Sequence, residues 1–146
     1  MKLKTDFEHN GQIPSKYTCD GDDLAPILHI SEVPTSAKEL VMIMDDPDAP
    51  MGTWVHWILY NIPVDTKTID NDNLDPQIKS GFTSFQRTGW GGPCPPNGVH
   101  RYFFKLYAIN KQLNLPDGIT KEQLLEIIDG SVVEYTELIG LYQRNV

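Results

Sequence analysis

Three short segments hold most of the residues able to do chemistry: Asp46–Pro50 (DPDAP), Trp54–His56 (WVH) and Gly98–Tyr102 (GVHRY). Each lies at the end of an apolar run. If those runs are strands of one sandwich, Asp46, His56 and His100 converge at one end. Two imidazoles among backbone N–H groups make an anion site. A neutral ring donates one hydrogen bond, and protonation turns its remaining acceptor into a donor. Asp46 and Asp48 would repel an anion if they faced it bare. The expected arrangement is an aspartate holding a histidine by its far nitrogen, which fixes the tautomer. The Gly/Pro-rich stretch Gly91–Asn97 is expected to wall the pocket and offer backbone N–H groups. Taken singly, each feature has a plainer reading. DPDAP is turn chemistry, and a histidine on an apolar strand is usually a satisfied core residue. Arg101 reads as a solvated surface residue, and Tyr102 as core with its hydroxyl at the rim. His9 and His29 read as structural or surface residues.

The elements that must position these residues are mainly strands. Leu40–Met44 (LVMIM) is apolar on both faces, which marks a central strand, and the prolines of DPDAP forbid its continuation. Trp54–Ile62 (WVHWILYNI) is a second such strand, with Trp54, His56, Ile58, Tyr60 and Ile62 on one face by alternation. His100–Ile109 (HRYFFKLYAI) is a third. His100, Tyr102, Phe104, Leu106 and Ala108 share its apolar face, opposite a half-solvated one that carries Arg101. Further strands are expected at Leu3–Glu8, Ile27–Ile30, Phe82–Gln86 and Glu134–Tyr142, with Asp65–Lys79 as loop. One helix is legible. Thr120 and Gln123 form a capping-box pattern, Leu124, Ile127 and Ile128 give an apolar face, and Gly130 is a stop. The sum is an all-β sandwich with one short helix near the C-terminus.

The bulk properties narrow the function. The 146 residues suffice for one domain with a core, residues 1–146. The 11 Gly and 11 Pro favour short elements and many turns. A net charge of −8 argues against nucleic acid as a partner and against electrostatic docking on anionic membranes. It leaves room for one local anion site. No segment approaches the roughly 20 apolar residues of a membrane span, and no apolar run follows the first lysines as a signal sequence would. The cytoplasm is therefore the expected location. Cys19 and Cys94 match no zinc spacing, and in a reducing compartment both are expected as free thiols, even if they border the same pocket. Among Ala49–Pro50, Cys94–Pro95 and Pro95–Pro96 at least one cis bond is expected, since irregular proline-rich backbone beside a pocket is where such bonds are retained.

The order of the motifs is more specific than any one of them. DPDAP, then His56, then GGPCPPNG running into VHRY, resembles the phosphatidylethanolamine-binding protein family, in particular its bacterial and archaeal branch. YTCDG at Tyr17–Gly21 and ELIGLYQR at Glu137–Arg144 resemble the ends of that pattern, so the resemblance covers nearly the whole chain. It implies a Greek-key β-sandwich with a small pocket for phosphate-like anions or phospholipid head groups. Matched residue by residue, the pocket would comprise Asp46, Pro50, Trp54, His56, Pro95, Pro96, His100 and Tyr102. Candidate protein partners implied by the resemblance are a protein kinase or a protease, and a homodimer is left open. No cofactor is expected. The segment Ala25–Ile30 lacks the tryptophan that the family usually carries there, so no ligand contact is carried over to it. The short Met51-Gly52-Thr53 loop lacks the longer insertion of animal members.

A competing reading is an enzyme. His56, His100, Asp46 and Asp48 would ligate a metal that activates water, or Cys94 would act as a nucleophile with His100 as base. The histidines lack an HxH or HExxH spacing, and Cys94 is flanked by Pro93 and Pro95 rather than set at a helix start. A binding function therefore ranks first.

Overall fold

The computed structural model describes residues 1–144. Its elements in chain order are β1 (Lys2–Lys4), β2 (Gly11–Gln12), β3 (Leu28–Ser31), β4 (Glu39–Asp46), β5 (Trp54–Ile62), β6 (Thr68–Ile69), β7 (Lys79–Ser80), β8 (His100–Ile109), α1 (Lys121–Ile128) and β9 (Val132–Tyr142). They form a large sheet in the order β2-β9-β8-β4-β5-β7 and a small one in the order β1-β3-β6. The pairs are antiparallel except β2 with β9. After β5 the chain crosses to the small sheet, returns to the edge at β7, and re-enters beside β4 as β8. That crossing makes the sandwich a Greek key.

The main core lies between the sheets. Leu3, Leu28, Ile30 and Ile69 of the small sheet meet Met42, Met44, Trp57, Leu59, Phe104 and Leu106 of the large one. A second core lies on the outer face of the large sheet, where Leu124 and Ile128 of α1 cover Val41, Ile43, Ile58, Tyr60 and Ile109. Strand β4 is thus buried on both faces, and every residue of Leu40–Met44 is 0% exposed. This is the physical reason its sequence is a continuous apolar run rather than an alternating one. Lys121, at the start of α1, and Lys105 of β8 both reach the buried carboxylate of Asp45, at 2.7 and 3.1 Å. The helix is closed at its N-terminus by the Thr120–Gln123 capping box.

Several expectations need correction, among them the first strand, which spans Lys2–Lys4 rather than Leu3–Glu8. Phe82–Gln86 is not a strand. Phe82 makes only isolated bridges, and Gln86 turns the chain with φ 62°. Residues 65–79 are not all loop, since β6 and the start of β7 lie there. No peptide bond among the described residues is cis, so the three X–Pro bonds at the pocket are trans. The chain reverses instead at glycines with positive φ, Gly52 and Gly98, where no side chain opposes it. Finally, Cys19 and Cys94 are not free thiols but form a disulfide. Their loops are zipped together, with the N–H of Cys19 donating to the Pro93 carbonyl at 3.1 Å, and the Cα atoms sit 5.4 Å apart, well within bonding range.

Candidate functional site

Strand β4 ends where β5 and β8 begin. Asp46 lies opposite Trp54 in the ladder, and Asp45 lies between Val55 and Phe103. The three motif segments therefore share one end of the large sheet.

His56 reaches that end through an irregularity. Met44 pairs with Trp57, but Asp45 pairs with Val55, so His56 is the extra residue of a β-bulge. The bulge reverses the alternation. Val55 joins Ile58 in the outer core, while His56 turns toward Tyr102 on the inner face, with ring centroids 5.2 Å apart. Simple alternation groups His56 with Ile58 and Tyr60, and that grouping is wrong. A second slip between Leu40 and Met42 restores the phase. There Asn61 adopts φ 57° and its side chain clamps the N–H and carbonyl of Leu115.

Hydrogen bonds fix both imidazoles. His56 donates from Nδ1 to the Gly91 carbonyl at 2.7 Å, and the Gly91 N–H returns a bond to the His56 carbonyl at 3.1 Å. A carbonyl only accepts, so Nδ1 carries the proton. Position 91 admits no side chain, because a Cβ there would overlap the Phe85 ring. His100 donates from Nδ1 to Asp46 Oδ2 at 2.7 Å, and the other oxygen of Asp46 accepts the Asp48 N–H at 2.7 Å. Asp48 in turn is held by Arg101, through Nε at 2.9 Å, Nη2 at 2.8 Å and the backbone N–H at 2.9 Å. Arg101 is thus more than a solvated residue: it ties the DPDAP loop to β8.

These groups border a cavity of about 260 Å³, a little below the roughly 300–1,000 Å³ of most ligand pockets. Asp46, Pro50, Trp54, His56, Pro95, Pro96, His100 and Tyr102 all line it, and Ala49, Met51, Phe85, Gly92 and Cys94 complete the wall. The walls are apolar and aromatic. Phe85 stands edge-on to both Trp54 and His56, at 5.5 and 5.3 Å. Met51 projects from the rim and is 97% exposed. The segment Ala25–Ile27 borders a different cavity, beside Trp90 and Arg87. Of the added residues, Met51 was legible as a neighbour of DPDAP and Cys94 as part of the proline loop. Phe85 had no local signal, since only the fold of the 82–90 loop brings it to His56.

Burial sets the electrostatics. It pushes the His56 pKa below the usual imidazole value, against the opposing pull of the Gly91 carbonyl and of Asp46, Asp45 and Asp23. Burial, and after it the charges of Asp46 and Asp48, pushes the Tyr102 hydroxyl well above the usual phenol range, so it stays protonated. Neither Nε2 of the two histidines has a partner among the described residues. Both rings line the cavity.

A two-sheet Greek-key sandwich with a histidine pair and a proline-walled pocket at one sheet end defines a recognisable class. The family model described as phosphatidylethanolamine-binding protein matches residues 3–143, and the chain belongs to that family. It is 45% identical over 150 aligned positions to a UPF0098 protein of Methanothermobacter thermautotrophicus, covering 99% of each chain. It is 42% identical to a UPF0098 protein of Aquifex aeolicus, covering 95% of this chain and 85% of that one. Among solved structures, a phosphatidylethanolamine-binding protein homologue from Chlamydia trachomatis superposes with a TM-score of 0.93 at 38% identity, covering 98% of this chain and 97% of that one. E. coli YbcL superposes with a TM-score of 0.90 at 24% identity, covering 99% and 98%, a likeness of fold. No helix among the described residues is long and apolar enough to cross a membrane.

Proposed function

We propose that the chain binds a small phosphate-bearing anion or phospholipid head group in the pocket bordered by His56, His100 and Tyr102. One observation carries the reading. Both carboxylates of the DPDAP segment are paired within the protein, Asp46 by His100 and the Asp48 N–H, and Asp48 by Arg101. His56, His100 and Tyr102 line the cavity beside this already-paired Asp46, set in largely apolar walls. Pro50, Trp54, Pro95 and Pro96 shape those walls. Asp46 acts as the positioning residue for His100: it fixes the tautomer and neutralises the ring when that ring gains a proton.

The hydrolase reading is not favoured. A cysteine nucleophile needs a thiolate, and Cys94 is bonded to Cys19. Among the described residues no group of three or more His, Cys, Asp or Glu is arranged to hold a metal ion.

The test is calorimetric titration with glycerophosphoethanolamine, a phosphodiester whose charge is constant with pH. An imidazole in water titrates at about 6.5, and a protonated ring donates to the anion while a neutral Nε2 does not. Affinity should therefore rise as pH falls from about 8 to about 6. His100→Ala should weaken binding on the order of ten-fold at pH 6, the loss of one charge-assisted bond, and flatten the pH dependence. Equal affinity for wild type and His100→Ala at pH 6 would remove the histidine-based site.

A further inference from the structure

Strand β4 carries a buried carboxylate at each end. Asp46 closes the strand and Glu39 opens it, about 23 Å away by strand rise. Glu39 is 3% exposed. Its Oε1 accepts the Leu113 N–H at 3.0 Å, while its Oε2 has no hydrogen-bond partner and the residue no ion pair among the described residues. Burial pushes its pKa up, and the Leu113 N–H pulls it back. A carboxylate so deeply buried calls for a partner. Glu39 lines a cavity of about 440 Å³, within the roughly 300–1,000 Å³ of most ligand pockets. Lys79 of β7 and the amides of Gln77, Gln112 and Asn114 line it too. Asn61 holds one wall in place, donating to the Leu115 carbonyl at 2.8 Å and accepting the Leu115 N–H at 3.2 Å. Gln77 donates from Nε2 to the Asn61 carbonyl at 3.2 Å, which leaves its own Oε1 as an acceptor. Lys79, half-buried, forms no salt bridge among the described residues.

We propose that this cavity is a second binding site, for a small zwitterion whose ammonium group pairs with Glu39 and whose carboxylate pairs with Lys79. The two unpaired charges of opposite sign set the class of ligand. A simple amine satisfies Glu39 but meets the like charge of Lys79, and a simple carboxylate meets the like charge of Glu39. A molecule carrying both groups satisfies both, and the amides of Gln77, Gln112 and Asn114 offer donors and acceptors to the rest of it. The site shares no lining residue with the histidine pocket and does not depend on the function proposed for that pocket.

The test titrates glycine, β-alanine and γ-aminobutyrate, which space the two charges differently, into the whole protein at neutral pH. Each is compared with the amine and the carboxylate left when one charged group is removed, propylamine and butyrate in the last case. Amide proton–nitrogen spectra report where each compound binds. At least one zwitterion should shift the amides of Leu113, Asn114 and Leu115, and should bind about ten-fold tighter than either of its singly charged analogues. Glu39→Gln keeps an acceptor for the Leu113 N–H and should weaken that zwitterion about ten-fold. Lys79→Met removes the charge from a partly exposed position. It should weaken the zwitterion and bring the amine level with it, and it tests the assignment even where Glu39→Gln does not fold. No shift at the three loop amides with any zwitterion would overturn the proposal. So would shifts confined to the amides around His100, which would put the ligand's carboxylate in the histidine pocket instead. Equal affinity for a zwitterion and its analogues, or an unchanged preference in Lys79→Met, would overturn it as well.

Discussion

Asp48 shows how one side chain serves the pocket without lining it. Its carboxylate takes three hydrogen bonds from Arg101, which hold its pKa down to about 2, below the ordinary 3.8. A depressed folded-state pKa means that the stabilising effect is fully present above the ordinary carboxylate range and is lost as pH falls through about 2. The pair is partly solvated, so its contribution to global stability is small. Its local effect is larger, because it anchors the loop that carries Ala49, Pro50 and Met51 to the rim. Arg101→Ala should raise the Asp48 pKa toward 3.8 in a carboxyl-carbon NMR titration. An unchanged value would mean that the clamp does not form in solution.

At the scale of elements, the strands that position the site were legible where burial imposes a pattern. The runs Trp54–Ile62 and His100–Ile109 coincide with β5 and β8, and LVMIM lies within β4. Helix α1 was legible through Thr120 and Gln123, whose capping bonds form as their spacing implies. Removing the cap with Thr120→Ala should cost about 1 kcal/mol, read as a lowered urea midpoint with unchanged slope. No loss would show that packing of Leu124 and Ile128 alone holds the helix. What stayed hidden was whatever depends on a partner strand. The bulge at His56 follows from how β5 registers against β4, and no residue type within WVHWILYNI announces it. Strands β6 and β7, two residues each, are too short to carry a period. The histidine pair itself was legible from its motifs, but which proton each ring carries required Gly91 and Asp46 to be located.

At the scale of the whole molecule, the disulfide corrects an argument made from compartment alone. Both cysteines are exposed, and Cys94 borders the pocket. The bond closes a loop across 75 positions, for which the loss of unfolded-chain entropy amounts to about 4 kcal/mol. Reduction, or Cys19→Ser with Cys94→Ser, should lower the unfolding free energy by up to about that amount. Identical denaturation curves with and without reductant, with thiol content confirmed by alkylation, would show that the bond is not formed in the purified protein.

The same bond gives the chain a covalent topology. Strands β3 to β7, including the whole of the β4–β5 hairpin, lie inside a closed ring of backbone, while β1, β2, β8, α1 and β9 are two tails leaving it at its junction. A single peptide cleavage anywhere between Cys19 and Cys94, for example in the exposed stretch near Asn71–Asn73, opens the ring but releases no fragment. Both halves of the pocket, His56 on the ring and His100 on the tail, remain parts of one molecule for as long as the two sulfurs stay joined.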